Sequence, residues 1–153
     1  MKRRLLHYSA KPLQFDPARK YPDDDHWKPR GLWLSVEGEQ DWREWCESES
    51  FGDLTHASEA KLIANPNVLI IDTIGKLDDF NKQYGGDDDR TRSISWRPVK
   101  AAYDGIIIAP YRWERRLDLM WYYGWDCASG VIWNLRAIAS VVPVVDHVLK
   151  EIA

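Results

Sequence analysis

Val68-Leu69-Ile70-Ile71 and Gly105-Ile106-Ile107-Ile108 are the two runs on which the fold turns. Each is a short, β-branched, apolar run, the pattern of a strand buried in a sheet. Asn65-Pro66-Asn67 makes the turn before the first run, and Asp104-Gly105 turns the chain into the second. Between them lie two helical stretches. Lys76 to Tyr84 places Leu77, Phe80 and Tyr84 on one face, and Gly85-Gly86 predicts a left-handed cap at its end. Ser95 predicts a helix start that runs to about Tyr103, with Pro98 tolerated in the first turn.

Working outward, Leu5–Ser9 reads as a first strand and Gly31-Leu32-Trp33-Leu34-Ser35 as a second, closed by a turn at Gly38. Asp41 then caps a short helix whose Trp42, Trp45 and Cys46 lie at helical spacing. Thr55 to Ile63 is weakly patterned and reads as an edge strand. Gly130 to Trp133 is a further strand. Ala137 to Val145 is apolar and β-branched, and Pro143 places it at a sheet edge. Two long loops remain. Residues 10–30 hold Pro12, Pro17, Pro22 and Pro29 with the run Asp23-Asp24-Asp25, and residues 109–129 carry Tyr111, Trp113, Trp121, Tyr122, Tyr123 and Trp125. Short strands, few helices and no regular β–α alternation predict an α+β class, with residues 1–153 forming a single domain.

Composition narrows the function classes. Hydrophobic residues at 44% and charged residues at 29% exclude wholesale disorder. Nine tryptophans and seven tyrosines supply a firm core, and also suit a cleft that stacks a flat ring. The net charge of −3 excludes a generally basic nucleic-acid binder. The charge is uneven, however: residues 1–89 carry net −6 and residues 90–153 net +3, with Arg90, Arg92, Arg97, Lys100, Arg112, Arg115 and Arg116 supplying most of the excess. That stretch, interleaved with aromatics, keeps a nucleic-acid partner open.

Cys46 and Cys127 are too few for a disulfide scaffold and are not spaced as a metal or redox pair. Cys127 has no neighbouring histidine in sequence to activate it. His26, His56 and His147 share no metal-ligand spacing, so no metal site is expected. The start lacks a signal-peptide pattern and no apolar run approaches the ~20 residues that span a bilayer, which predicts a cytoplasmic chain without a membrane partner. Neither GxGxxG nor GxxxxGK[ST] occurs, so neither phosphate cradle is available.

Four segments in order carry a further pattern: Leu5-Leu6-His7-Tyr8-Ser9, then Gly31-Leu32-Trp33-Leu34-Ser35, then Tyr103-Asp104-Gly105-Ile106-Ile107, then Ser129-Gly130-Val131-Ile132-Trp133-Asn134-Leu135-Arg136-Ala137-Ile138. This succession resembles the mono-ADP-ribosyltransferase superfamily, including its bacterial toxin-like and phage-like members, over most of the chain from residue 5 to about 140. The resemblance implies a split β-sandwich of two small antiparallel sheets with a few short helices, and NAD as substrate in the cleft between them. It implies a bacterial or phage-infected cytoplasm.

By the same resemblance, His7 with Ser9 serves the adenosine-side ribose. Gly31, Trp33 and Ser35 approach the nicotinamide ribose, and Tyr103 belongs to the cofactor site with its Asp-Gly step. Tyr21, Trp27, Trp42 and Trp45 are candidates for the ring that stacks on nicotinamide. Ser129 stands where the family has a glutamate at the head of the last strand. Asp126 is the nearest upstream carboxylate, with Glu114 a more distant one, so Asp126 and Ser129 are the candidate catalytic positions. A carboxylate there would stabilise an oxocarbenium-like ribose as the nicotinamide bond breaks. Pairing of Asp126 with Arg112 or Arg136 is its structural alternative, and a turn or cap is that of Asp104. The function expected is ADP-ribosyl transfer to an unknown protein or nucleic-acid acceptor, or NAD glycohydrolysis. The alternative is a domain that binds a nucleotide, an NAD-derived signal or a protein without chemistry.

Overall fold

The structure, a computed structural model, describes residues 3–23, 27–86 and 93–145. Asp24 and Asp25 of the first acidic run, the second acidic run at Asp87–Asp89, and His26, His147, Arg90 and Arg92 lie outside these residues. The α+β class is as expected, but the sheet is not divided in two. Seven strands form one mixed sheet: β1 (Leu5–Ser9), β2 (Leu32–Val36), β3 (His56–Leu62), β4 (Val68–Ile71), β5 (Gly105–Ile108), β6 (Ser129–Ile132) and β7 (Ile138–Pro143), in the order β4-β5-β6-β2-β1-β3-β7. β4 and β5 run parallel, and every other neighbouring pair is antiparallel. The parallel pair needs a long crossover, which the two helices between those strands provide.

Helix α1 (Trp42–Glu49) starts where Asp41 accepts from the Glu44 amide, as its sequence predicts. Helix α2 (Ile74–Tyr84) is capped by Thr73 and buries Leu77 and Phe80. Gly85 after it is extended, with φ −75°, and not left-handed. Its small size serves close approach instead, since a Cβ there would lie 2.4 Å from the Asn81 carbonyl oxygen. Helix α3 (Trp96–Ala102) buries Trp96 and Val99. The 109–129 stretch is more ordered than its composition suggests, with a 3-10 turn at Trp113–Arg115 and a short helix α4 (Met120–Tyr123).

Two strand positions differ from the sequence reading. β3, expected at an edge, lies between β1 and β7. β4, read as buried, is an edge strand with Ile70 43% exposed. β-branching reports a pleated environment, not a place within the sheet. β7 with Pro143 is at the other edge, as expected.

Alternation along the strands supplies both faces. On one face Ile106, Ile108 and Val131 pack with α2, α3 and the fully buried Trp96, Trp121, Tyr122 and Trp125. On the other, Leu32, Leu34 and Ile132 pack with Leu135, Ile138 and, from the proline-rich loop, Leu13, Phe15 and Tyr21. Most aromatics of the 109–129 segment are therefore core. Trp121 donates its indole N–H to Asn81 Oδ1 at 3.0 Å, and the Tyr122 hydroxyl accepts from the Arg112 amide at 2.9 Å.

Candidate functional site

β1 runs beside β3 over five paired residues but beside β2 over only two, Leu5 with Val36 and Leu6 with Ser35. Beyond Leu6 the β1–β2 ladder stops. Where it stops, a cleft of about 310 Å³ opens, lined by His7, Tyr8, Trp33 and Ser35 from the two strands. Asp126, Cys127 and Ser129 close it from the β6 side, with Trp125 and Trp42 as aromatic walls and Lys28 reaching in from the proline-rich loop.

The His7 imidazole spans the parting strands, its Nδ1 2.9 Å from the Trp33 carbonyl oxygen. A carbonyl only accepts, so Nδ1 carries the proton and Nε2 of the neutral ring is left as an acceptor. Ser35 Oγ accepts from the Trp42 amide at 2.9 Å, tying the end of β2 to the first turn of α1. This bond fixes Trp42 beside the cleft. The Trp42 ring also stacks on Trp45 at 5.1 Å, and Phe51 packs edge-on against both.

Asp126 is half-buried and carries a raised pKa, because burial penalises its charge; Lys28 and Arg116 oppose that rise. Arg116 Nη2 lies 3.6 Å from Asp126 Oδ1. The ion-pair partner is therefore Arg116, and not Arg112 or Arg136. Arg112 donates instead to the Asp72 carbonyl, and Arg136 forks onto Asp104 at 3.1 Å. The Arg116 guanidinium is itself held between the Trp113 and Tyr123 rings, at 5.2 and 5.0 Å.

Lys28 places its ammonium 5.2 Å from the centre of the Trp33 ring. Burial lowers its pKa, while Asp126 opposes the drop. Nothing in its sequence surroundings marks it: it sits in an aperiodic, proline-rich loop, and only the fold carries that loop to the cleft. Burial pushes the Cys127 thiol up to about 12, so it is not a thiolate nucleophile near neutral pH. Ser129 is buried and donates to the Cys127 carbonyl at 3.1 Å. Trp125 is 1% exposed, and its indole N–H is buried without a hydrogen-bond partner. Such donors are uncommon inside proteins; the Trp125 residue lines the cleft, while this atom is itself inaccessible.

His7, Trp33, Ser35, Asp126 and Ser129 thus meet on one cleft. Three other expected residues do not line it. Ser9 donates to the Lys11 carbonyl just beyond the strand. Gly31 is where β2 passes close to β6: a Cβ there would lie 2.6 Å from the Ile132 carbonyl oxygen. Tyr103 ends α3 and accepts the Trp133 indole N–H on its carbonyl at 2.7 Å. Of the ring candidates, Trp42 lines the cleft, whereas Trp27, Trp45 and Tyr21 do not. Glu114 is exposed in the 3-10 turn and away from the lining. Asp104 plays the structural part, its carbonyl accepting from the Trp133 and Asn134 amides and its carboxylate from Arg136.

Among the described residues no cluster of three or more His, Cys, Asp or Glu side chains could hold a metal ion. No helix among them is long and apolar enough to cross a membrane. Comparison with protein-family models, with curated proteins and with solved structures finds no match.

Proposed function

We propose that the β1–β2 cleft binds NAD or a related nucleotide, and that the chain is an ADP-ribosyltransferase-like domain acting on the nicotinamide–ribose bond. One observation carries this reading: His7, Trp33, Ser35, Asp126 and Ser129, drawn from three distant parts of the chain, line a single cleft. The parting of β1 from β2 beyond Leu6 adds support, because it opens a ligand-sized cleft between two strands of the single sheet, which is not the two-sheet sandwich the resemblance implies. At about 310 Å³ the cleft falls near the lower end of the ~300–1,000 Å³ usual for small-molecule sites. It suits a flat ring and its ribose, with the rest of a dinucleotide following the open mouth.

Trp42 offers a face for the nicotinamide ring, and the Trp125 N–H, buried behind the cleft surface, becomes a donor for its carboxamide once the ring turns toward the ligand. Lys28, on the lining, supplies positive charge for a phosphate, while Arg116 is engaged with Asp126 behind it. Asp126, when ionised, faces the ribose and opposes its developing positive charge. Nicotinamide leaves as the neutral base, and an acceptor or water attacks the anomeric carbon. The test is incubation with NAD while nicotinamide release is followed by chromatography. Release that disappears in Asp126→Asn supports this reading, and equal release by the variant removes Asp126 from the chemistry.

A specific observation favours a second reading, binding without turnover. Ser129 stands where the resemblance has glutamate, and the cations Arg116 and Lys28 both offset the charge of Asp126. Calorimetry with NAD, ADP-ribose and nicotinamide separates the two. Tight binding with no nicotinamide release supports the second reading, and no binding of any of the three removes both.

A further inference from the structure

Helix α1 turns an aromatic face outward. Cys46 is the one residue it buries, whereas Trp42 and Trp45 are half-buried and stack at 5.1 Å, 16° from parallel. Ser50 (φ 50°) and Gly52 (φ 78°) are left-handed, and the turn they make sets Phe51 edge-on to both indoles. A side chain at position 52 is excluded twice over, by that φ and by the Cys46 Sγ, which a Cβ would meet at 2.8 Å. Phe51 is nonetheless 58% exposed. The turn does not hide the ring; it holds it beside two indoles at the surface.

The charge around this face is one-sided. Residues 37–53 carry seven carboxylates against one cation, Arg43, and are as negative as the whole of residues 1–89. Glu37 pairs with Arg4 and Glu47 with Arg43. The other five, Glu39, Asp41, Glu44, Glu49 and Asp53, form no ion pair among the described residues. Asp41, Glu44 and Asp53 accept from backbone amides or the Thr55 hydroxyl, which leaves their charge uncompensated. Glu49 follows Trp42 and Trp45 at i+7 and i+4, on their side of the helix. Burial raises the Asp126 pKa and Glu49 adds to the rise, so this end of the face borders the cleft.

These features say what covers the face. A second copy of the chain, meeting it face to face, would set the same negative charge against itself. An apolar partner would leave the carboxylates unanswered. A cation answers both parts, lying on an aromatic face and pairing with a carboxylate. The guanidinium suits this better than an ammonium, because it is flat, weakly hydrated and forks onto a carboxylate. We propose that the Trp42–Trp45–Phe51 face is a docking surface for an arginine-bearing segment of a partner protein. Trp42 also lines the β1–β2 cleft, so the segment is held at the mouth of that cleft. The inference does not depend on what the cleft binds.

Anisotropy of a labelled arginine–glycine repeat peptide, titrated with the protein at low salt, tests it. The arginine repeat is expected to bind, a lysine–glycine repeat of equal charge to bind more weakly, and a leucine–serine repeat not to bind. Phe51→Ala, at an exposed position and checked by thermal melting, weakens binding about two- to fivefold, the worth of one exposed cation–π contact. Glu49→Gln weakens it by about twofold. Glu59→Gln makes the same charge change on β3 and leaves binding as in the parent. The inference is overturned by no binding of the arginine repeat, by equal binding of either other peptide, or by parent-like binding in Phe51→Ala. It is also overturned by equal weakening in Glu59→Gln, which marks bulk charge alone. Self-association that Phe51→Ala abolishes assigns the face to a second copy and overturns it as well.

Discussion

The Nδ1 atom of His7 and the carbonyl oxygen of Trp33 lie 2.9 Å apart across the point where β1 and β2 cease to pair. A side chain there does what the main chain has stopped doing, and it does so on the wall of the cleft. His7 is thus structural and site-lining at once. Loss of one partly buried hydrogen bond costs about 0.5–1.5 kcal/mol, or about 2–4 °C of melting temperature per kcal/mol in a domain of this size. His7→Ala is expected to melt a few degrees below the parent. His7→Asn, whose amide N–H can reach the same carbonyl, restores most of that loss. Neither variant is expected to retain nucleotide affinity if Nε2 contacts the ligand. Melting curves and calorimetry on both variants check the two halves separately.

Asp126 gives a pH prediction with a definite sign. Its folded-state pKa is raised above the ordinary carboxylate value by burial. A raised acid is more favourably held when protonated, so its contribution to stability is fully present at low pH. That contribution is lost as pH rises through the folded value. Asp126→Asn removes the cost of ionising at this position. At pH 7 the variant is expected to melt at or above the parent temperature, and the difference should shrink as pH is lowered toward 4. A variant markedly less stable than the parent at pH 7 would mean that the 3.6 Å pair with Arg116 outweighs the desolvation. Nicotinamide release, if the chain performs it, is lost in the same variant.

Asp104 and Arg136 differ sharply in exposure, with side chains 7% and 70% accessible. The asymmetry fixes which partner matters more. Removing Asp104 leaves a guanidinium already in water, whereas removing Arg136 leaves a buried carboxylate with its bonds unmade. Arg136→Ala is expected to cost more stability than Asp104→Asn, because it strands the buried partner. Adding Asp104→Asn to it should recover part of that loss. Denaturant titrations of the two single variants and the double variant give the cycle, and a double variant worse than Arg136→Ala alone contradicts the argument.

How far the sequence carried the fold depends on the range of the contact. β-branched runs, the Asp41 cap and the apolar face of α2 are local, and each was readable where it stands. The single mixed sheet was not, because β1 with β3 and β2 with β6 join segments dozens of residues apart, and short strands carry no label for their neighbours. The same limit governs the site. The resemblance singled out His7, Trp33, Ser35, Asp126 and Ser129, which line the cleft, together with Ser9, Gly31 and Tyr103, which do not. Lys28 and Arg116 were not singled out, because a lysine in an aperiodic loop and one arginine among several have no periodic or motif signal. Gly31 was misplaced for a physical reason: a glycine beside a ligand and a glycine beside a neighbouring strand read identically in one dimension.

Trp125 supports the last prediction. Its ring is in the core, edge-on to Trp33 at 5.0 Å and stacked on Trp96 at 6.3 Å, yet its N–H has no hydrogen-bond partner among the described residues. A buried donor left unmade costs about 1–3 kcal/mol. Trp125→Phe deletes that donor along with some ring volume. The two effects oppose each other in stability: the lost packing destabilises, and the removed orphan donor stabilises. The melting temperature is therefore expected to fall less than for Trp121→Phe, which breaks the bond to Asn81 at 3.0 Å. Ligand binding should show the reverse order. If the Trp125 N–H meets the carboxamide of nicotinamide, Trp125→Phe weakens NAD binding by about tenfold, the worth of one good hydrogen bond. It should leave ADP-ribose, which has no carboxamide, nearly unaffected. Trp121 does not line the cleft, and its variant should bind both ligands like the parent. Equal loss for NAD and ADP-ribose in Trp125→Phe would mean that the ring shapes the cleft and that its N–H plays no part in recognition.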